Sequence, residues 1–548
     1  MDRLSELPDD LIRRVFHFAP VKEAASTGAL SRRFRSVWRS SDAVNLQARA
    51  LEDDGSYRCN SEQQTRRLLS HRDAFVSGAK AALHAADDHV TRLSLRLQAR
   101  ADDTIRNFVH LRSDGRWLNN MDVVADVLSH PKVRRVEELQ IAMDYNHGSF
   151  DQEVRLHRTG VYEIKLGSIP SKTLRVLELT SCKIFTLPAA VKFPCLASLR
   201  MDNCYVPLQH LQSVIFSAPA LHAVHLESVY LGRCDRKEEE EGTVVRLHCP
   251  AVTWLVLDKC GWTEGECKLE IDAPRLRRFK YTGLLRRLSL SPQPPPDLSR
   301  VDLHFISDYG EDPCRDRVLL WKFLHNFRSA KELKLLVQHL EYIAVVDAAE
   351  RAKLLRPFRN LERLELGGVH RPKGKTAAVA IANLLRCCPA VRDLHINLST
   401  TKNDSDKQPR HVREFLQRKS RDDLHNSIQH FLRRRLERVV SLKGEISHDD
   451  ADDYDEAADI PALTGRSFPC LQDSLRRVSL RFWPEKTNCF GMKLIRFFAE
   501  NGIALEEMRI DDGNNWMNQH ANRNVERWIA NSSSQKRNTT LKVLPLKR

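Results

Sequence analysis

From Val90 onward the chain repeats one spacing: an apolar residue, two variable ones, then apolar, variable, apolar. "LRVLELTSC" (Leu174 to Cys182), "LASLRMDNC" (Leu196 to Cys204) and "VTWLVLDKC" (Val252 to Cys260) show it most clearly and place cysteine at the same ninth position. The alternation predicts short strands with one buried face. Strand centres at Leu177, Leu199, Val224, Leu255, Phe279 and Val301 are separated by 22, 25, 31, 24 and 22 residues, room for one strand and a returning segment. Such strands cannot cover their own apolar faces, so they are expected to stack in parallel, each sealing its neighbour, with helices or turns on the far side. The cysteines then sit where the chain leaves each strand, small and weakly polar enough to be buried.

The spacing resembles the LxxLxLxxN/C pattern of a leucine-rich repeat. Further copies are "LHAVHLESV", "LRRFKYTGL", "LSRVDLHFI", "LERLELGGV", "VRDLHINLS", "LRRVSLRFW" and "LEEMRIDDG", with weaker ones at "VTRLSLRLQ", "VEELQIAMD", "VYEIKLGSI" and "AKELKLLVQ". Ile164 lies only 13 residues before Leu177, too close for a full repeat, and is expected in a local hairpin. The polar, basic and then acidic run around 399–466 reads as an insertion, and "RKEEEEG" (Arg236 to Gly242) as a loop. Near the end, "LRRVSLRFW" followed by "KLIRFFAENGIALEEMRI" (Lys493 to Ile510) resembles the FBD segment that follows the repeats of many plant F-box proteins.

The N-terminus has a different period. Pro8 suits the first turn of a helix, Asp9 and Asp10 lie at its positive end, and Leu11, Ile12, Val15, Phe16 and Ala19 follow as an apolar stripe until Pro20. "VKEAASTGAL" gives a second helix, and Ser31 is a candidate N-cap for a third, in which Phe34, Val37 and Trp38 share a face. Three helices in about forty residues bury too little surface to stand alone, so part of this apolar face belongs against something else. Asp2 to Trp38 resembles an F-box in its plant form, with the Leu7-Pro8 pair, the Leu11, Ile12, Val15 stripe and the "LSRRFRSVW" ending; Ala19 and Phe34 depart from it. That resemblance implies docking on a Skp-type adaptor, and through it on a cullin, by Leu7, Pro8, Leu11, Ile12, Val15 and Trp38.

The expected fold class is therefore α/β: a three-helix F-box over 1–45, a helical linker over 46–89, degenerate leucine-rich repeats over 90–470 and an FBD-like segment over 471–548. Composition changes this little. The net charge of +15 permits nucleic-acid binding, but the basic residues are interleaved with 72 acidic ones, so a mixed solvated surface is the better reading. Thirteen cysteines without paired CxxC spacing fit reduced thiols, and neither a metal site nor a cofactor is expected. "MDRLSELPDD" lacks the apolar core of a secretory signal and no run reaches membrane length, so an intracellular protein, nuclear or cytoplasmic, is expected.

Catalytic patterns are poor. "LELGGVHRPKGKTAAVAIANLL" has the strand, glycines and Lys375-Thr376 of a phosphate-binding loop, but Gly368 to Gly374 encloses five residues and Pro372 has no N–H to donate. "HRD" at His71 to Asp73 and "DYG" at Asp308 to Gly310 lie 235 residues apart, from Asp73 to Asp308, with no glycine-rich loop before them. A non-enzymatic receptor subunit of a ubiquitin ligase is the leading expectation; a repeat scaffold or nucleic-acid-associated protein is the alternative. In the repeats the variable positions face outward, which marks Arg200, Asp202, His225, Trp254, Lys280, Asp302, His304, Lys334, Glu365 and His395 as candidate contacts for a target protein. Limited proteolysis should cut first near Lys402 to Arg410 or Asp449 to Asp459, where polar sequence lacks the apolar side chains of a core; mapping the first fragments by mass spectrometry checks this.

Overall fold

The computed structural model describes residues 6–50, 61–86, 90–99, 102–110, 122–145, 161–184, 188, 190–232, 244–262, 268–285, 288–291, 295–306, 313–370, 375–400, 460, 462–463, 466–482, 490–511, 525, 528 and 541–545. The segments 236–242 and 448–459, most of the expected insertion, and 371–374 of the glycine-rich stretch lie outside them. The chain divides into two compact units, Met1–Gly310 and Glu311–Arg548.

The first unit opens with helices α1 (Asp9–Phe18), α2 (Val21–Leu30) and α3 (Arg32–Arg39). Pro8 holds the N-cap of α1 and its carbonyl accepts from the Leu11 and Ile12 amides, both at 3.1 Å. Two aspartates in the first turn and His17 in the last complement the helix dipole. Ser31 occupies the N-cap of α3 as expected, although its hydroxyl makes no capping bond.

Nine parallel strands follow in chain order: β1 (Ala43–Arg49), β2 (Arg92–Ala99), β3 (Glu138–Tyr145), β4 (Val176–Thr180), β5 (Ser198–Asp202), β6 (Ala223–Glu227), β7 (Trp254–Asp258), β8 (Arg278–Gly283) and β9 (Arg300–Phe305). Their register aligns Val44, Leu93, Leu139, Leu177, Leu199, Val224, Leu255, Phe279 and Val301 in one ladder. All nine are buried, so each strand centre read from the repeat meets the next side by side. A second ladder, Leu46 to Leu303, runs two residues further along. β1 straddles the boundary expected between the F-box and a helical linker over 46–89, and the described part of that linker span otherwise holds the helix α4 (Ser61–Ala85). That helix with α5 (Asp102–His110) and α6 (Val123–Leu128) packs behind the first strands, where Ile105, Phe108 and Leu83 are buried.

At four strand ends the chain turns through a residue with φ between 51° and 55°: Ser181, Asn203, Ser228 and Lys259. Each turn starts a short second strand, and Tyr162–Glu163, Cys182–Lys183, Tyr205–Pro207, Tyr230–Gly232 and Gly261–Trp262 pair in parallel as a separate sheet. This corrects the hairpin expected near Ile164: its neighbour Tyr162–Glu163 starts the second sheet, so its short spacing to Leu177 is no repeat at all. The ninth-position cysteines lie just past these turns. Cys204 Sγ donates to the Leu179 carbonyl of the preceding strand at 3.3 Å and Cys260 Sγ to that of Leu226 at 3.3 Å, so each buried thiol finds an acceptor on its neighbour. A helix, α7 (Leu208–Ser217), packs behind Tyr205–Pro207, and a third parallel sheet joins Val244–His248, Lys268–Asp272 and Leu288–Leu290.

The second unit repeats the plan with β10 (Glu332–His339), β11 (Arg363–His370), β12 (Asp393–Thr400), β13 (Arg477–Arg481), β14 (Glu507–Asp511) and β15 (Lys542–Pro545), all parallel and in chain order. β12 and β13 pair directly although the expected insertion separates them in sequence. The unit also holds α8 (Pro313–Leu324), α9 (Ala348–Leu354), α10 (Lys375–Cys387) and α11 (Phe490–Asn501). Trp321 is buried with Nε1 donating to the Ile343 carbonyl at 3.1 Å, and Asn383 reaches the Val345 carbonyl at 3.2 Å. Gly368 has a packing role: a Cβ there would lie 2.7 Å from the Val337 carbonyl oxygen of β10.

Leu257 is fully buried between Leu226 and Tyr281 in the second ladder. Leu257→Asp places a carboxylate there without a partner and should destabilise the unit by roughly 3 kcal/mol or more. A lowered transition in a circular dichroism melt is the expected result, and an unchanged one would show that this ladder carries no packing energy.

Candidate functional site

Two surfaces collect the candidate residues. In the N-terminal helices Ile12, Phe16, Ala24 and Val37 form a small core, with Leu7, Ala19, Phe34 and Trp38 partly buried against it. Phe34 meets Phe16 edge-on at 6.3 Å. Ile12, expected among the adaptor contacts, is turned inward and only 4% exposed, whereas Leu11 and Val15 on the same helix are 44% and 50% exposed. A helix that contributes a residue to a core on each of two successive turns cannot also present all its apolar positions to solvent. Pro8 is exposed and Leu7 half-buried. Arg33 fixes that entry: its guanidinium donates to the Asp9 carboxylate at 2.7 Å and to the Leu7 carbonyl at 2.5 Å. Phe18, which the sequence reading did not single out, is 66% exposed, with the Arg92 guanidinium 5.3 Å from its ring centroid.

The other end of α1 is held by the sheet. Asn45 Nδ2 on β1 donates to the His17 carbonyl at 2.9 Å and the Ala19 carbonyl at 3.0 Å, satisfying acceptors that a helix terminus leaves unpaired. His17 Nδ1 also pairs with Asp42 at 2.7 Å. The three helices are thus fastened to the first strand, not hung on a free linker.

The second surface is the outward face of the strands. Seven candidates stand on the first unit. Arg200, His225, Lys280 and Asp302 lie in the central row with Val256 among them, and Asp202 and His304 lie in the next row. Trp254 stands one position nearer the strand starts, 39% exposed, with the His225 ring edge-on at 4.2 Å. Burial, then Arg200 and Lys280, lower the pKa of His225; burial, then Glu227, raise that of Asp202. Lys280 is paired with Asp258 at 2.5 Å and Asp302 with Arg300 at 3.2 Å. Arg278, which occupies on β8 the place Trp254 holds on β7, was missed, although the spacing that marks one marks the other.

Lys334, Glu365 and His395 sit in register on β10, β11 and β12 of the second unit. Lys334 and Glu365 are 2.5 Å apart, and His395 is half-buried with its pKa lowered by burial and then by Arg363. The row beside them reads Glu332, Arg363, Asp393, Arg477, Glu507, Lys542, alternating in sign at every strand. Arg477 binds Asp393 with both arms, at 2.5 and 2.6 Å, and holds that carboxyl below its usual range. This face largely neutralises itself.

A family model of the F-box domain matches residues 4–43, the three helices and the first residue of β1. The chain carries an F-box. Its relatives bear the same modules: an FBD-associated F-box protein of Arabidopsis thaliana is 21% identical over 66% of this chain and 69% of its own length. An F-box/FBD/LRR-repeat protein is 25% identical over 52% of this chain, and an F-box/LRR-repeat protein 22% identical over 72%, both from Arabidopsis thaliana. The chain spans only 55% and 54% of those two relatives. The expected resemblance to plant F-box proteins with repeats and an FBD segment agrees with these matches.

No group of three or more His, Cys, Asp or Glu among the described residues could hold a metal ion, and no described helix is long and apolar enough to cross a membrane. The buried thiols are poor nucleophiles, since burial raises Cys249, Cys387 and Cys470 each to about 12. Among the described cysteines Cys195 is exposed, so alkylation of the native chain at neutral pH should label it first. Peptide mapping that finds Cys249 or Cys387 modified at the same rate would contradict the packing described here.

Proposed function

We propose that this chain is the target-recognition subunit of an SCF-type cullin-RING ubiquitin ligase. The F-box seats on a Skp-type adaptor, the adaptor links it to a cullin, and the strand face holds a target protein. The observation that carries this reading is the division of labour on α1: Ile12 and Phe16 close the F-box core while Leu11 and Val15 remain uncovered beside Pro8. Burying two such side chains against a partner contributes about 1.5 to 3 kcal/mol each, enough for decades of affinity.

The parallel strands are read as a leucine-rich-repeat solenoid, with strands on the concave side and helices and turns on the convex side, in keeping with the repeat named in several relatives. No bond-making residue is needed. A receptor of this kind acts by holding the target near a ubiquitin-charged enzyme, which raises effective concentration. The bonds from Asn45 and Asp42 to the end of α1 support the geometry, because a receptor that positions lysines gains from a fixed angle between its two docking surfaces. Such a ligase works inside the cell, in nucleus or cytoplasm.

Leu11→Glu combined with Val15→Glu should abolish co-purification with a Skp-type adaptor and leave the melting transition unchanged, since both side chains are exposed. Ile12→Glu should instead unfold the F-box. Retained adaptor binding by the normally folded double variant would overturn the assignment of Leu11 and Val15 as the contacts, and failure of the wild-type chain to bind the adaptor would favour the repeat-scaffold reading.

A further inference from the structure

Trp254 is exposed on a strand whose neighbours cover it only in part. In register beside it stand Ala223, too small to shield an indole, and Arg278, whose guanidinium lies 5.7 Å from the ring centroid. His225 Nε2 is buried without a hydrogen-bond partner, and its registered neighbour on β5 is Arg200. Both Arg200 and Arg278 are exposed, and neither forms an ion pair with any described residue. The row therefore reads Ala223, Trp254, Arg278, Arg300, with two cations directly opposed, of which Arg300 is paired with Asp302 and Arg278 is not. Like charges in that position destabilise a sheet. In the second unit the matching row alternates in sign at every strand, so the chain keeps here, next to an exposed indole, an arrangement its other unit avoids.

We infer that the outward face of β5 to β8, from the strand starts to the central row, binds a short segment of the target protein that carries acidic residues on both sides of a bulky apolar anchor. This rests on the receptor reading above and names the chemistry of its target. The anchor lies on Trp254, where aromatic contacts dominate binding energy. Arg278 is one strand away, roughly 5 Å, and Arg200 two strands away on the other side and two residues further along its strand, roughly 12 Å at ordinary strand geometry. An extended segment crossing the strands obliquely rises about 3.3 Å per residue, so it places acids about two positions beyond the anchor on one side and about three to four on the other. The far ends of the same strands carry Asp202, Glu227 and Asp258 in register, with Lys280 paired to Asp258 alone of the three. That row turns away a long polyanion laid along the strands, which favours a short acidic peptide over a nucleic acid.

The full chain tests this with fluorescein-labelled peptides read by anisotropy: Gly-Asp-Gly-Gly-Phe-Gly-Asp-Gly, its counterpart with Lys for both Asp, its counterpart with Ala for Phe, and a single-stranded oligonucleotide. The Asp/Phe peptide should bind, more weakly as salt rises, and both counterparts should bind about tenfold or more weakly than it. Trp254→Ala and Arg278→Gln should each lower that binding by about tenfold or more, with melting unchanged, while Lys334→Ala in the second unit has no effect. No binding of the Asp/Phe peptide at millimolar concentration, equal binding of the Lys peptide, unaltered binding by Trp254→Ala, or tighter binding of the oligonucleotide would each overturn the inference. The receptor reading fails separately, if the wild-type chain does not bind a Skp-type adaptor. F-box-dependent ubiquitination of a target by the Trp254→Ala chain would sink the peptide site and leave that reading standing.

Discussion

Each main strand of the first unit sends two apolar side chains inward at matching heights, and the next strand must do the same or a gap opens between them. That register, Val44 through Val301 and Leu46 through Leu303, is the constraint on which the rest of the unit depends. A slip of one residue would turn Leu255 and Leu257 to solvent and bury Trp254, Val256 and Asp258. The same parity that closes the core therefore decides which side chains form the outward face. Function is written in the positions that packing leaves unused, which is why strands with one core pattern can carry Arg200, His225 and Trp254 side by side.

The F-box obeys a related economy. A core of Ile12, Phe16, Ala24 and Val37 is small, and domains of that size rarely hold together without help. Help comes from β1, whose Asn45 takes two carbonyls at the end of α1. With its far end secured by the sheet and its near end by Arg33, α1 can leave Leu11 and Val15 uncovered. An exposed aliphatic pair on so small a domain is a cost in solubility, and a partner that covers it offsets that cost.

Much of this was legible from spacing. The strand centres could be read because buried side chains must alternate, and the ninth-position cysteines because the same turn recurs at the same place. The second sheet was not legible. Strands of two or three residues carry no period, and the left-handed turns that start them use Ser181, Asn203, Ser228 and Lys259, with no glycine to mark them. β1 escaped for a similar reason, since "AVNLQAR" sits behind a helix and lacks the leucine that opens the repeat. On α1 the stripe was correct as a list of apolar positions, but periodicity does not say where a stripe divides between the domain's own core and a partner. That division between Ile12 and Leu11 needed α3 in place.

The net charge of +15 illustrates how a total can mislead. In the second unit positive side chains are spent against carboxylates one strand away: Arg477 on Asp393, Lys334 on Glu365, Arg481 on Asp511. Exposed pairs of this kind contribute little stability each, but in register they remove the cross-strand repulsion that a row of like charges would impose. What remains for a partner is not the sum of charge but its local excess. On the first unit Arg200 and Arg278 flank an indole without an ion pair to any described residue, while the acidic row at the other end of the strands sets a boundary. A surface with both signs and an aromatic between them discriminates by geometry, accepting a ligand whose charges fall at the right distances and rejecting one of equal charge that does not.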